Sequence, residues 1–122
     1  KAIGKDINID DEQLKLGKGY DHNFVLKNKP NHDLIEAANV YEPSSGRTLT
    51  VYTEEPAVQF YSGNFLDGSS KQASGLVHKL RSGFCLEPQH FPDAPNQPTF
   101  PSTTLLPGEV YSTRIVYEFG TK

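Results

Sequence analysis

Glu87 closes the run Phe84-Cys85-Leu86-Glu87 and stands directly before Pro88. In an extended chain Phe84 and Leu86 share one face, while Cys85 and Glu87 share the other. A carboxylate at a strand end, beside semi-apolar neighbours, is set up for a tuned pKa, which a general base requires. The plain alternative is a solvated surface glutamate, a common residue. Pro88 lacks an amide N–H and should end the ladder at once. Asp21 and Gln59 follow the same logic. Asp21 lies between Tyr20 and His22 at the start of an apolar run, and Gln59 points away from Val58 and Phe60. Two carboxylates and an amide on strand faces can recognise hydroxyl groups, because each hydroxyl both donates and accepts. The plain alternatives are a turn residue after Gly19 for Asp21, and an exposed strand position for Gln59.

Other chemistries find less support. His22, His32, His78 and His90 show no metal spacing, and there is no Cys-x-x-Cys pair. Cys85 near His90 suggests a cysteine–histidine nucleophile pair, but Cys85 lies in an apolar strand and reads as a packed thiol. Neither a phosphate-cradling Gly-x-x-x-x-Gly-Lys-Ser/Thr loop nor a Gly-x-Gly-x-x-Gly turn is present. The single cysteine excludes an intrachain disulfide and is compatible with a reducing compartment, so a cytoplasmic setting is favoured. Asn28 lacks the Ser or Thr two residues on that glycosylation needs.

The elements that must position these residues are strands. From Val110 to Phe119 the chain alternates, with Tyr111, Thr113, Ile115, Tyr117 and Phe119 on one side. Ala57 to Tyr61 alternates likewise. Arg47 to Thr53 is rich in β-branched and aromatic residues after a Pro-Ser-Ser-Gly turn at Pro43 to Gly46. Phe24 to Leu26 and Ile35 to Tyr41 are further strands. A helix over Leu34 to Ala38 is rejected, because the stretch is short and Pro30, Asn31 and Pro43 fence it. Asp67-Gly68 marks a turn. Five prolines between Pro88 and Pro101 forbid a helix or central strand there, and Phe91 and Phe100 favour an ordered excursion. Lys1 to Gly19 reads as a polar surface segment with one helical turn.

The 122 residues suit one domain, 1–122, with a modest core. The net charge is −3, and no basic run of five or more residues offers a nucleic-acid surface. No apolar stretch reaches membrane-spanning length. The chain starts at Lys1 and contains no methionine, so it reads as a piece of something longer or a processed chain.

Read together, Gly-Tyr-Asp-His-x-Phe around Asp21, Val-Gln-Phe-Tyr-Ser-Gly-Asn-Phe around Gln59 and Gly-Phe-Cys-Leu-Glu-x-Gln around Glu87 resemble the galactose mutarotase (aldose 1-epimerase) family. Pro-Asp-Ala-Pro-Asn-Gln-Pro at 92–98 and Leu-Pro-Gly-Glu at 106–109 strengthen the match, which follows the family's order and spans nearly the whole chain. The resemblance implies an all-β fold, the C-terminal portion of an antiparallel β-sandwich. It also implies interconversion of the α and β anomers of a free aldose such as galactose or glucose. In that family a glutamate takes the proton of the anomeric hydroxyl and a histidine protonates the ring oxygen. Glu87 matches the glutamate, and Asp21 and Gln59 match sugar-binding positions. No metal or organic cofactor is implied. The family's histidine belongs to an upstream His-x-Tyr-Phe/Trp-Asn segment, and an arginine and a second histidine lie further upstream; none of these occurs here. Pro88 stands where Thr is common, which stiffens the exit from the strand. The chain is therefore expected to supply the base and part of the sugar pocket without the acid. Its expected partner is the N-terminal portion or a second copy. Two alternatives stay open: a non-catalytic carbohydrate-binding module, and a glycoside hydrolase using Asp21 and Glu87 as paired carboxylates.

Overall fold

A computed structural model of the chain describes residues 1–27 and 33–122. His32, named above among the histidines, and Asn28, Pro30 and Asn31 lie outside the described residues. Two compact units are distinguished: residues 1–22 with 59–86, and residues 23–58 with 87–122.

The regular elements are a 3-10 turn at Ile3–Lys5, helix α1 at Glu12–Gly17, and strands β1 (Asp21–Val25), β2 (Ile35–Tyr41), β3 (Arg47–Thr53), β4 (Ala57–Tyr61), β5 (Cys85–Gln89) and β6 (Ile115–Thr121), with a second 3-10 turn at Ala94–Asn96. The two sheets have the orders β1-β4-β5 and β2-β3-β6. The all-β class implied by the resemblance is the one observed, and β2, β3 and β4 have the expected bounds.

In the first unit α1 is fixed at both ends. The Asp11 carboxylate accepts from the amides of Gln13 and Leu14 at 2.9 and 3.2 Å, which satisfies two of the four donors a helix start leaves open. Lys18 takes a left-handed φ of 54° and closes the C-terminus, and Gly19 donates to the Leu14 carbonyl at 2.9 Å. Leu14 and Ile7 are the unit's buried aliphatic residues. Tyr20 packs on Phe60 at 5.5 Å between ring centroids, and Phe60 meets Phe84 edge-on at 6.2 Å. The expected single helical turn is thus a six-residue helix with a 3-10 turn ahead of it.

In the second unit β3 is the centre of an antiparallel sheet. It pairs β2 from Ile35↔Thr53 to Tyr41↔Thr48, with a bulge between Glu36 and Ala38, and β6 from Arg47↔Thr121 to Thr53↔Ile115. Paired on both sides, it buries Val51 and Thr53 completely. The Glu42 carboxylate holds the β2–β3 turn by accepting from the amides of Ser44 and Ser45, and the Ser44 and Ser45 hydrogen bonds push its pKa down to about 2.

Three expectations are corrected. The last strand begins at Ile115, not Val110. Thr53 partners Ile115, a single further bond joins Glu54 N–H to the Arg114 carbonyl, and β3 then gives way to the bend at Glu55 and Pro56. Among the described residues the alternation from Val110 to Arg114 therefore meets no strand to pair with. Pro88 does not end β5, which continues to Gln89. Among the described residues β5 ends its sheet's order, and an edge strand is where proline is tolerated. Cys85 is exposed, not packed.

Candidate functional site

Asp21 opens β1 and Gln59 lies in the middle of β4. The backbone sets their approach, because Ser62 N–H donates to the Tyr20 carbonyl at 2.9 Å, just beyond the strands' ends. Side chains lock the same point. Ser62 Oγ accepts from Tyr20 N–H at 3.0 Å and lies 2.6 Å from Asn64 Oδ1. Asn64 Nδ2 donates to the carbonyls of Gly17 and Tyr20, both at 2.9 Å. Ser62 and Asn64 are buried, so these bonds act where the alternative is an unpaired polar group. Gly19, between the two carbonyls, has φ 137°, and a Cβ there would stand 2.3 Å from Asn64 Oδ1. Only glycine fits that approach.

The network delivers one pair. Gln59 Nε2 donates to Asp21 Oδ1 at 2.8 Å. Asp21 N–H donates to His22 Nδ1 at 2.9 Å, which leaves Nε2 to carry the proton of the neutral ring. An exposed carboxylate and a half-buried amide in hydrogen-bonding contact can accept from and donate to neighbouring hydroxyls of one ligand. A cleft of about 560 Å³ in the same unit, between Ile3, Ile7, Arg81 and Phe84, is lined by neither residue. Cavity size is therefore no guide to the pair. Asn64→Ala is expected to lower the free energy of unfolding by about 1–3 kcal/mol, because the Gly17 carbonyl loses the Asn64 amide and the buried Ser62 hydroxyl loses Asn64 Oδ1. Denaturant unfolding at an unchanged m-value checks this.

Glu87 belongs to the second unit. It is the middle residue of β5 and is exposed. Two residues on, Gln89 Nε2 donates to Asn23 Oδ1 at 3.1 Å and ties the strand's end to β1. The sequence-predicted residues thus resolve into a bonded pair, Asp21 with Gln59, and Glu87 on β5.

Sequence reasoning missed a buried carboxylate. Glu55, in the bend between β3 and β4, is 4% exposed. Its Oε1 accepts from the Tyr111 hydroxyl at 2.5 Å, and its Oε2 lies 2.7 Å from His90 Nδ1. Burial pushes the Glu55 carboxyl up, but the hydroxyls of Tyr111 and Thr113 and the His90 ring outweigh it and hold the group below its usual range. The available signal was faint: a glutamate directly before proline, at the head of an apolar strand. Among the described residues no group of three or more His, Cys, Asp and Glu side chains could hold a metal ion. No helix among them is long and apolar enough to cross a membrane.

The model of the aldose 1-epimerase family matches residues 1–118. A galactose mutarotase from Rattus norvegicus is 52% identical over 101 residues, which are 83% of this chain and 29% of that protein. An aldose 1-epimerase from Escherichia coli is 40% identical over 121 residues, 98% of this chain and 34% of that protein. The crystal structure of an aldose epimerase homologue from C. elegans superposes with a TM-score of 0.72 at 31% identity, covering 83% of this chain and 30% of that one. The chain thus spans about a third of the length of the curated relatives it matches. The β-sandwich of the galactose mutarotase type implied by the motifs agrees with this likeness.

Proposed function

The chain belongs to the aldose 1-epimerase family, and from that premise we propose that it supplies the base and part of the sugar pocket of an enzyme interconverting the anomers of a free aldose. The observation that carries the reading is the hydrogen bond from Gln59 to Asp21, built on the buried Ser62–Asn64 network. A polar pair held this firmly is preorganised for hydroxyl groups, and an aldose ring presents several.

In this reading Glu87 removes the proton from the anomeric hydroxyl. The C1–O1 bond becomes a carbonyl, the bond from C1 to the ring oxygen breaks, and the ring oxygen takes a proton from an acid outside the motifs of this chain. Rotation about C1–C2 presents the other face of the aldehyde, and the steps reverse. Asp21 and Gln59 hold hydroxyls that do not react, so their contribution is the same in the ground state and the transition state.

Proton NMR of freshly dissolved α-galactose or α-glucose tests the proposal. Accelerated growth of the β-anomer signal, with no bond cleaved, is expected; cleavage of an aryl glycoside, or sugar binding without interconversion, would replace it with a hydrolase or a binding module. Gln59→Leu should raise KM about 5–30-fold, the equivalent of about 1–2 kcal/mol for a lost polar contact, with kcat changed little. A fall in kcat at constant KM would instead make Gln59 part of the chemistry.

A further inference from the structure

We propose that the buried Glu55 carboxylate, joined to His90 and Tyr111, is a clamp that positions the end of β5 and hence Glu87; this rests on the reading of Glu87 as the base. A buried carboxylate persists only when paired and hydrogen-bonded. Glu55 has both kinds of partner, with Tyr111 on Oε1 and His90 on Oε2. Its own backbone is anchored too. Glu55 N–H donates to Thr53 Oγ1 at 2.9 Å, Thr53 is fully buried, and Pro56, Ala57 and Val58 are buried after it. The clamp thus stands on a buried bend with an anchored backbone.

His90 follows the last residue of β5 and lies three positions after Glu87. Between them Pro88 fixes one backbone dihedral, and Gln89 is bonded to Asn23. Gripping His90 therefore leaves few free torsions through which the Glu87 backbone can wander. A base acts only within hydrogen-bond reach of the proton it removes, so a loosened strand end is felt in turnover. Glu55 and His90 are positioning residues in this scheme: they touch the strand, not the sugar. The arrangement gives a role to a carboxylate at a buried position where an apolar residue would cost less.

The test uses the protein expressed from its complete reading frame, with kcat and KM taken from anomer interconversion. His90→Ala is expected to lower kcat about 10–100-fold, the range that misplacement of a reacting group by about an ångström produces, with KM within about twofold. His90→Asn should restore most of the loss, because its amide can place an N–H beside Glu55 Oε2, where His90 Nδ1 now stands at 2.7 Å. In a Glu87→Gln background His90→Ala should add nothing, since the residue it positions is already gone. Unchanged kcat in His90→Ala beside an inactive Glu87→Gln overturns the clamp alone, and so does an additive loss in the double variant. Near-normal turnover in Glu87→Gln removes the base and the clamp's purpose with it. His90→Ala leaves Glu55 Oε2 without its neighbour, so denaturant unfolding of each variant is measured beside the kinetics, and His90→Asn separates positioning from lost stability.

Discussion

Glu87→Gln should lower kcat about 10²–10⁴-fold, the usual contribution of a positioned general base, and leave sugar affinity within a few-fold. The amide keeps the shape of the carboxylate and can still bond a hydroxyl, but it has no basic oxygen to receive a proton. The loss then falls on the step and not on binding, the kinetic mark of an interaction made only in the transition state. Glu87 is exposed on β5, so the exchange disturbs no core, and the thermal midpoint should barely move. Saturation kinetics by NMR, with calorimetric titration of the sugar, read both quantities. Weakened binding at unchanged turnover would make Glu87 another hydroxyl ligand. Normal values for both would remove it from the site. Gln59→Leu is the counterpart, with its effect in KM.

Much of this was legible in the chain. The β-branched and aromatic run from Arg47 to Thr53 and the alternation from Ala57 to Tyr61 became strands with those bounds, because each satisfies a local rule and also finds a partner. Val110 to Arg114 satisfies the same rule without a partner: β3 bends away at Glu55, and register with a distant strand is not written in local alternation. Pro88 misled for a related reason. Proline forbids a central strand position, but the sequence does not say that β5 lies at the end of its sheet. The thiol of Cys85 was read as packed from its apolar neighbours, yet Phe84 is 41% exposed and Leu86 is only partly covered. The site divided in the same way. Residue type and strand face single out Asp21 and Gln59, both belong to long recognisable motifs, and the structure joins the two by a hydrogen bond. Glu55 was not found, because a glutamate becomes a buried anchor only through His90 and Tyr111, 35 and 56 positions further along.

The 122 residues by themselves are expected to interconvert anomers slowly and to associate. Ring opening needs a proton delivered to the ring oxygen as another leaves the anomeric hydroxyl; in the proposed reading Glu87 is the base, and the family's upstream histidine motif does not occur in these residues. Loss of one partner in such a step costs about 10²–10⁴-fold, so weak base catalysis above the rate in water is expected, not zero. The tendency to associate follows from β6. Every residue of that strand is exposed, Ile115 at 39%, Tyr117 at 45% and Phe119 at 77%, and both faces carry apolar side chains. Among the described residues β6 also ends the order of its sheet and pairs β3 on one side only. An apolar strand with an open edge is a template for another chain. Its expected occupant is the remaining length found in the relatives, and failing that a second copy. Light scattering across a concentration series should show growth in mass, and adding the portion of a relative that precedes the matched region should suppress it while raising turnover. Full activity from a stable monomer would mean that the acid lies within these residues. His22, beside Asp21, and His90, against Glu55, would then be the first to replace, and loss of kcat in one of them would identify the acid.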